Sequence, residues 1–321
     1  MGPDAPSLHL VVIGSAMVEI VPSQMGRRLS EVEYMTPLPS GSAANFAGAL
    51  GSLGVRVGFI SRVGDDELGR WLIRELGERG IDTDFIQPVA GQLTPVSFAW
   101  MDQEGEKTFY FYRFPGFSDP MATLTRQSIL REQVTAGRVF DFTEATIRNE
   151  PLRSAALHAA ELARAAGREV CYAVNYRPAS WRDQTEEQII EVQRRACAAA
   201  DIVVMNREEA RLVSGLEDAR RALEAIAEVG PHLAVVTMGH LGALVCADGE
   251  VVRVPAREVE VVYDIGAGDS FHAGLLAGHL AGMPPADAAR FASDAAALRI
   301  SRDASAPNPT FEEVSELSGG P

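Results

Sequence analysis

The sequence predicts an α/β fold, a three-layer α/β/α sandwich whose central sheet is mainly parallel. Apolar runs of strand length alternate with segments of helical periodicity almost throughout, as is typical of parallel strands joined by helices that cover both faces of a sheet. The 321 residues, 46% of them hydrophobic and 23% charged, supply ample apolar material for one large core.

The individual elements follow from the local pattern. Strands are predicted where β-branched and other apolar residues cluster, at Leu8–Ile13, Val55–Ser61, Val139–Phe142, Val170–Val174, Ile202–Met205, Leu233–Thr237 and Ala243–Cys246. Helices are predicted where apolar residues recur at helical spacing, at Ser42–Leu53, Glu67–Arg79, Leu152–Ala166, Glu186–Ala200, Ala219–Val229, Asp269–Ala281 and Ala286–Ser301. The run Val259–Tyr263 also has strand character.

Two stretches break this alternation and predict a small sheet outside the main one. Glu31–Pro37 and Thr94–Phe114 lack helical periodicity, and Thr108–Arg113 resembles an aromatic β ribbon. We therefore expect one domain over residues 1–321 with segments 31–37 and 94–114 inserted in it. The tail Pro307–Pro321, with its Pro, Gly and Ser, is expected to be a frayed end.

Composition excludes several classes of protein. The formal net charge of -15 argues against a nucleic-acid or anionic-membrane partner, because both favour clustered Lys and Arg. Cys171, Cys197 and Cys246 lie far apart in no metal-ligand spacing, which predicts a reducing cytoplasm and no structural zinc. No stretch approaches the length of a membrane span, so we expect a soluble protein.

The most informative segment is residues 264–272, Asp-Ile-Gly-Ala-Gly-Asp-Ser-Phe-His, between the strand-like run and an apolar helix. Gly266, Ala267 and Gly268 fall where a helix presents unpaired N–H groups, and small residues there let a phosphate approach the backbone. A carboxylate at Asp269 would repel that anion unless it accepts a proton from an attacking group. The alternative is a tight turn followed by a capping Asp.

Two common nucleotide motifs are absent from the sequence. No Gly-x-x-x-x-Gly-Lys-Ser/Thr loop occurs anywhere, and the 266–269 segment lacks the third glycine of a dinucleotide fingerprint. Any nucleotide must therefore bind in another way.

Polar residues gather at the predicted carboxyl ends of strands, where parallel sheets bind ligands. These residues are Asn175, Arg177, Asn206, Glu209, Thr237 and Asp264. Four of them also have a plain structural interpretation: Asn206 suits a helix N-cap with Glu209 in the first turn, Arg177 a surface ion pair, and Thr237 the start of a simple turn that ends at Gly242.

A second small-residue helix start occupies Ser40–Ala47, where Gly41 permits close approach of a ligand and Asn45 offers both a donor and an acceptor. A buried capping Asn is the alternative. Arg113 ends the aromatic ribbon, where its guanidinium needs a carboxylate, a sugar hydroxyl or phosphate oxygens; a salt bridge at the rim is equally open.

Taken together, these segments resemble the ribokinase-like, or pfkB, family of sugar kinases over almost the whole chain. The family's Asp-Thr-Gly-Ala-Gly-Asp signature matches residues 264–269 with Ile265 as the one departure. Its N-terminal signature matches Gly41 and Asn45, with Ser40 in place of the first glycine, and its Asn-x-x-Glu motif matches Asn206–Glu209.

The resemblance implies a ribokinase-like fold with a β-sheet lid, and Mg²⁺- and ATP-dependent phosphorylation of a sugar hydroxyl. Asp269 would be the base, and the N–H groups of Gly266, Ala267 and Gly268 would stabilise the developing charge. The resemblance implies ATP binding at Asn206, Glu209, Thr237, Gly239, Gly242, Gly268 and Ser293. Glu209 would hold Mg²⁺ through water, and Asp264 would help to bind a potassium ion.

The resemblance also implies a sugar site between the main sheet and the lid, formed by Glu19, Gly41, Asn45, Phe111, Arg113 and Arg177. Many relatives carry Asp where this chain has Glu19. Residues 175–181 resemble 2-keto-3-deoxygluconate kinases and fructokinases, and two arginines would suit an acidic sugar. Phe111 stands where the keto-deoxy-acid enzymes tend to have a hydroxylated ring, so fructose, 5-dehydro-2-deoxygluconate and a nucleoside stay open.

Two functions other than sugar phosphorylation fit the sequence less well, a dehydrogenase and a catalytically silent sugar-binding protein. A dehydrogenase would need Gly-x-Gly-x-x-Gly near the first strand, where Gly14–Met17 does not supply it. A sugar-binding relative that has lost catalysis would keep the fold, but the presence of Asp269 argues against such a loss of activity. The aromatic ribbon resembles an exposed strand edge, which predicts a homodimer through the lid.

Overall fold

A large, mainly parallel sheet of ten strands organises the part of the chain that the computed structural model describes, residues 8–24, 26–101, 107–112, 119–181, 183–263, 266–303 and 306–319. The described strands are β1 (Leu10–Ile13), β2 (Met17–Pro22), β3 (Met35–Ser40), β4 (Val57–Gly64), β5 (Ile81–Asp82), β6 (Ile86–Val89), β7 (Val96–Met101), β8 (Lys107–Tyr112), β9 (Val139–Thr143), β10 (Glu169–Ala173), β11 (Ile202–Asn206), β12 (Leu233–Thr237), β13 (Ala243–Ala247) and β14 (Glu250–Val254). The described helices are α1 (Ser42–Ser52), α2 (Glu67–Glu78), α3 (Arg131–Thr135), α4 (Leu152–Ala165), α5 (Glu186–Ala198), α6 (Arg207–Ser214), α7 (Ala219–Ala227), α8 (Ala267–Leu280), α9 (Pro285–Ile300) and α10 (Phe311–Leu317).

The large sheet has the strand order β14-β13-β12-β11-β10-β9-β1-β4-β5, with β6 beside β4. Its pairings are parallel from β12 to β5, and β13 and β14 are antiparallel additions at one edge. Ile13 on β1 and Tyr172 on β10 both lie opposite Phe142 on β9, so these strands end together. Their carboxyl ends therefore form one continuous edge.

Helices cover both faces of this sheet, as the sequence predicts. Alternate strand residues such as Leu10 and Val12 pack with α1, α2, α8 and α9 in one buried cluster. Their neighbours Val11 and Ile13 pack with α4, α5, α6 and α7 in a second cluster. The period-two alternation of a strand thus builds both halves of a three-layer α/β/α core.

A smaller sheet, the lid sheet, has the order β3-β2-β7-β8. Strands β3, β7 and β8 fall in or overlap the two stretches that were predicted to form it. The strand β2 was not predicted, and residues 32–34 next to β3 are not strand. The division into one domain with an inserted lid stays a prediction.

Two sequence predictions are wrong. Residues Val259–Tyr263 pair with none of the described strands; instead the N–H groups of Val262 and Tyr263 donate to Ile300 O at the end of α9 (2.8 and 3.0 Å). The tail is not frayed at residues 311–317, which form α10 with fully buried Val314. Phe311 at the start of α10 packs against Phe291 on α9, with ring centroids 4.8 Å apart. The polar composition of the tail does not reveal this tertiary contact.

None of the described helices combines the length and the apolar composition that a membrane span requires.

Close packing of α8 on α9 depends on small residues. A Cβ atom added at Gly274 would lie 2.7 Å from Ala292 Cα and 3.1 Å from Ala295 Cβ, and one at Gly278 would lie 3.0 Å from Ala288 Cα. The nearest atom in each case is a backbone Cα of α9, which cannot move away as a flexible side chain would. Glycine here sets the distance between the two helices.

We predict that Gly274→Ala lowers the free energy of unfolding by about 1–3 kcal/mol, because the new methyl group overpacks the interface between α8 and α9. The matched control is Gly77→Ala on α2, where the added Cβ has its nearest neighbour 3.9 Å away. That change should stabilise the helix by about 0.5–1 kcal/mol. Urea unfolding measures both, and equal effects of the two substitutions would contradict the packing argument.

Candidate active site

The N-terminus of α8 meets the carboxyl edge of the central sheet, which brings predicted site residues together. Asn175 follows β10, and its Nδ2 lies 3.4 Å from Asp269 Oδ1 in the first turn of α8. The two residues are far apart in sequence and are joined only by the tertiary fold. This contact locates the candidate active site.

The start of α8 suits an anion. Gly266 occupies the N-cap with φ 88°, a left-handed conformation that favours glycine, and no side chain among the described residues caps the helix. Asp269 is the third helical residue, so the alternative that it caps the helix is wrong, while a carboxylate in the first turn also interacts favourably with the helix dipole. The first N–H groups of α8 remain available to a ligand.

Asp269 is half-buried, yet the surrounding protein strongly desolvates its carboxyl group. Desolvation raises the pKa of Asp269 to about 6, while His272 and Arg177 oppose the rise and Asp141 adds to it. A carboxyl group with this pKa is ionised at neutral pH and is a stronger base than an exposed aspartate. It can accept a proton from a substrate hydroxyl.

Two buried glutamates hold the loop after β10. Glu209 Oε1 accepts the N–H of Tyr176 at 2.7 Å, and Glu144 Oε1 accepts the N–H of Arg177 at 2.9 Å. The neighbouring residue Asn175 has φ 38°, an uncommon conformation for a residue with a side chain. The two glutamates thus fix the backbone that aims Asn175 at Asp269 and leaves Arg177 exposed.

Glu144 was missed by the sequence analysis, although it follows β9 at the same edge as Asn175 follows β10. It is fully buried, and it also bonds Arg148 and Trp181 Nε1 (3.1 Å). Burial raises the pKa of Glu144, and its bonds to Arg148, Trp181 and Arg177 oppose that rise. The rule that polar residues at strand ends mark a site could have found it.

Asn206 and Glu209 form a capping box at the start of α6. Asn206 Oδ1 accepts the N–H of Glu209 at 2.9 Å, and Glu209 Oε2 accepts the N–H of Asn206 at 2.7 Å. The capping interpretation of Asn206 is therefore confirmed. Burial raises the pKa of Glu209, and backbone bonds from Asn206 and Tyr176 oppose the rise. Its role toward a metal ion stays a prediction.

The lid sheet brings Glu19 and Phe111 onto one face. Glu19 on β2 is paired with Ser97 on β7, and Ser97 is paired with Phe111 on β8. Ser97 Oγ donates to Glu19 Oε1 at 3.3 Å, and burial raises the pKa of Glu19. Phe111 is 63% exposed, so its ring is available to a ligand or a partner.

Gly41 and Asn45 stand at the start of α1. Gly41 has φ 109°, and a Cβ atom there would lie 2.6 Å from Ser15 O, so glycine is required by the adjacent backbone. Asn45 does not cap the helix, since Gly41 occupies the N-cap, and its side chain is exposed. The alternative of a buried capping Asn is wrong, and Asn45 is accessible to a ligand.

Four other predicted nucleotide residues lie at the end of β12, in the turn after it and in the middle of α9. Gly239 has φ 58° and open space around it, whereas a Cβ atom at Gly242 would lie 2.1 Å from Val254 O. Close approach of the chain after β14 therefore explains Gly242 without a ligand. Thr237 Oγ1 lies 3.4 Å from Met205 O, and Ser293 Oγ lies 3.5 Å from Pro255 O.

Two predicted site residues, Arg113 and Asp264, lie outside the described residues. The roles assigned to them stay predictions.

The chain is similar to known sugar kinases along most of its length. It is 34% identical over 286 residues to a fructokinase from Klebsiella pneumoniae, with 89% of each chain covered. It is 27% identical over 319 residues to a 5-dehydro-2-deoxygluconokinase from Shouchella clausii, with 98% of this chain and 96% of that one covered.

Solved structures share the fold. A 2-dehydro-3-deoxygluconokinase from Thermotoga maritima superposes with a TM-score of 0.85 at 22% identity, covering 98% of this chain and 100% of that one. A putative ribokinase II from E. coli, in complex with ATP and Mg²⁺, gives a TM-score of 0.84 at 23% identity and covers 97% of this chain and 98% of that one. The family model of the pfkB carbohydrate kinases matches residues 7–310. With the sugar-kinase relatives and the shared ribokinase-like fold, this match means that the chain belongs to the pfkB family of carbohydrate kinases.

Proposed function

We propose that this sugar kinase transfers the γ-phosphoryl group of ATP to a sugar hydroxyl with Asp269 as the base. The observation that carries the proposal is the position of Asp269, which is desolvated and contacted by Asn175 in the first turn of a helix that no described side chain caps. The hydroxyl oxygen forms the new bond to phosphorus, the bond to the leaving ADP oxygen breaks, and the hydroxyl proton passes to Asp269.

The helix start would stabilise the charge of the transferring group. Among the described residues, no side chain caps the N–H groups of Gly266, Ala267 and Gly268, and the helix dipole adds partial positive charge. Donors that are already oriented need no rearrangement as negative charge develops. This role is electrostatic and complements proton transfer to Asp269.

Magnesium suits the acidic residues beside this edge. Each oxygen of Glu209 accepts one backbone N–H and retains a lone pair, and Asn206 is exposed next to it. Carboxylate oxygens and intervening waters are ligands that Mg²⁺ prefers. Bound Mg²⁺ would neutralise phosphate charge, and Asn206 and Glu209 would hold it through water. The putative ribokinase II from E. coli, whose structure contains ATP and Mg²⁺, supports this part of the proposal.

The nucleotide would bind next to the turn after β12. Gly239 has open space around it, and Thr237 and Ser293 are partly exposed, so backbone and hydroxyl groups can reach a ligand there. Gly242 would contribute its backbone only, because a neighbouring strand end already restricts it. The potassium site at Asp264 is part of the same proposal.

Fructose is our first candidate for the sugar, supported by the fructokinase relative. Glu19, Gly41, Asn45 and Phe111 would bind it between the lid sheet and the central sheet. A second candidate is the sugar acid 2-keto-3-deoxygluconate, favoured by the exposed guanidinium of Arg177 near Asp269 and by the predicted role of Arg113. The alternatives 5-dehydro-2-deoxygluconate, a nucleoside and a silent sugar-binding relative stay open to the same assay.

We also propose a cytoplasmic homodimer. The three cysteines are free and buried, which suits a reducing compartment. The edge strand β8 carries exposed Tyr110 and Phe111, an apolar surface that a second lid sheet could cover.

Asp269→Asn should lower turnover by about 10²-fold or more while nucleotide affinity stays nearly unchanged, because a general base is lost and no binding group is removed. In the wild type, kcat/KM should fall as the pH is lowered through about 6, where Asp269 takes up a proton. Steady-state kinetics and calorimetry measure both effects. The control is Asp287→Asn, an exposed carboxylate paired with Arg290, and unchanged turnover in Asp269→Asn would refute the assignment.

Arg177→Ala should separate the two sugar candidates. Loss of a charge-assisted pair would raise KM for a sugar acid by roughly 10- to 100-fold and KM for ATP little, whereas KM for fructose should change by less than about 10-fold. ADP release over a panel of fructose, ribose, 2-keto-3-deoxygluconate, 5-dehydro-2-deoxygluconate and adenosine identifies the acceptor. Arg220→Ala on α7 is the control, and equal increases in KM for sugar and ATP would indicate a structural role.

Glu144→Gln should loosen the loop after β10. Arg148 loses its charged partner, so the free energy of unfolding should fall by roughly 3 kcal/mol and KM for the sugar should rise more than KM for ATP. Chemical unfolding and kinetics test this. The control Glu161→Gln changes exposed contacts with Arg126 and His158 and should cost less than about 0.5 kcal/mol, and an equal cost at both positions would contradict the argument.

A further inference from the structure

Residues 90–95, the lid link, join β6 of the central sheet to β7 of the lid sheet. A connection of this kind ordinarily runs over the protein surface. Thr94 within the lid link is nevertheless only 1% exposed. The chain is therefore enclosed at the point where it passes from one sheet to the other, and the proton transfer described above gives this point no function.

Asp66, at the N-cap of α2, binds Thr94 with both oxygens of its carboxylate. Asp66 Oδ2 accepts the backbone N–H of Thr94 at 2.8 Å. Asp66 Oδ1 accepts the Thr94 hydroxyl at 2.7 Å and the N–H of Gly69 at 2.8 Å. The bond from Gly69 alone caps the helix. The two bonds from Thr94 go beyond capping, and they tie the lid link to α2.

The Thr94 hydroxyl also reaches the central sheet. Its Oγ1 accepts the N–H of Gly64, the last residue of β4, at 3.1 Å. The backbone segments around it are packed closely, since a Cβ atom added at Gly64 would lie 2.5 Å from Thr94 N and one at Gly69 would lie 2.2 Å from Gly64 O. One threonine thus joins β4, α2 and the lid link.

The lid link leads directly to a proposed sugar residue. Pro95 O accepts the N–H of Val18 on β2 at 2.9 Å, next to Thr94 in the chain. Ser97 on β7 then donates its hydroxyl to Glu19 Oε1 on β2 at 3.3 Å. Because β2 is bonded to the segment that begins at Thr94, a displacement of Thr94 would move Glu19 relative to the central sheet.

We propose that Asp66 and Thr94 are positioning residues that anchor the lid sheet to the central sheet and so hold Glu19 where the sugar binds. They act through β7 and β2 and not by contact with the reacting groups. The proposal rests on the proposed function, in which the sugar lies between the two sheets. An anchored lid sheet would also exclude water, which otherwise competes with the sugar hydroxyl for the γ-phosphoryl group of ATP.

Four variants separate the anchor from helix capping. Thr94→Val removes the hydroxyl at similar volume, and Thr94→Ser keeps the hydroxyl as the conservative variant. Asp66→Ser retains one oxygen for the N–H of Gly69 but cannot accept both donors of Thr94 as well. The matched control is Asp218→Ser at the N-cap of α7, where the exposed carboxylate accepts the N–H of Arg221 at 2.9 Å.

Hydrogen exchange of the full chain without ligands measures the anchor itself. The amides of β2, among them that of Val18, should exchange roughly 5- to 10-fold faster in Thr94→Val and in Asp66→Ser, because a bond that holds the lid sheet is lost. The amides of β9 and β10 should keep the wild-type rates. Thr94→Ser and Asp218→Ser should match the wild type in β2.

Kinetics measure the effect on the site. With the sugar that the acceptor panel identifies, KM for the sugar should rise roughly 10-fold in Thr94→Val and Asp66→Ser, and KM for ATP by less than about 2-fold. ADP release should exceed the formation of sugar phosphate, because water gains access. Combining the two changes should raise KM for the sugar little further, since both remove the same link.

Wild-type exchange of the β2 amides in both variants would overturn the anchor, and an unchanged KM for the sugar would overturn the positioning role. Equal acceleration in β9 and β10, equal increases in both KM values, or fully additive effects in the double variant would show only general destabilisation and would also overturn the proposal. Should Thr94→Val not fold, Asp66→Ser against Asp218→Ser gives the same comparison.

These outcomes differ from failure of the proposed function. A wild type that is silent across the acceptor panel, or a fully active Asp269→Asn variant, would remove the proposed reaction or its base. The hydrogen-exchange comparison needs no substrate, so it decides the anchor formed by Asp66 and Thr94 in either case.

Discussion

The close contact between α8 and α9 is the constraint on which the site depends. Gly274 and Gly278 allow the two helices to approach until backbone atoms nearly touch, and larger residues would separate them. That distance sets where the N-terminus of α8 meets the central sheet. Because Asp269 lies in the first turn of α8, a packing constraint about one to three turns away influences how the base faces Asn175.

The other half of the site depends on buried carboxylates. Glu144 and Glu209 each accept a backbone N–H from the loop after β10, and the unusual backbone of Asn175 lies beside these bonds. Burying two glutamates is unfavourable in isolation, but two backbone N–H donors compensate Glu209, and Arg148, Arg177 and Trp181 all donate to Glu144. The result is a loop held in one conformation by its surroundings, which is what an oriented catalytic group needs.

Most of the fold was predictable from local pattern. Strand and helix positions in the central sheet follow from apolar periodicity, and the helix boundaries differ from the observed ones by a few residues at most. The failures have a common cause. Val259–Tyr263 has the composition of a strand but pairs with none of the strands in the described part of the chain, and α10 has the composition of a tail but buries Val314. In both cases a tertiary contact outweighed the local preference.

The sequence alone determined the fold class and the segments that carry chemistry, because periodicity, small-residue helix starts and strand-end polar residues are local features. It could not rank the interpretations of single residues: Asn206 proved to be a helix cap, and Asn45 proved to be exposed. Only the tertiary structure decided that Glu144 holds the loop after β10 and that Asp141 and His272 meet within 2.9 Å. The physical reason is that desolvation and ion pairing depend on which distant segments are packed together, and no local pattern specifies that.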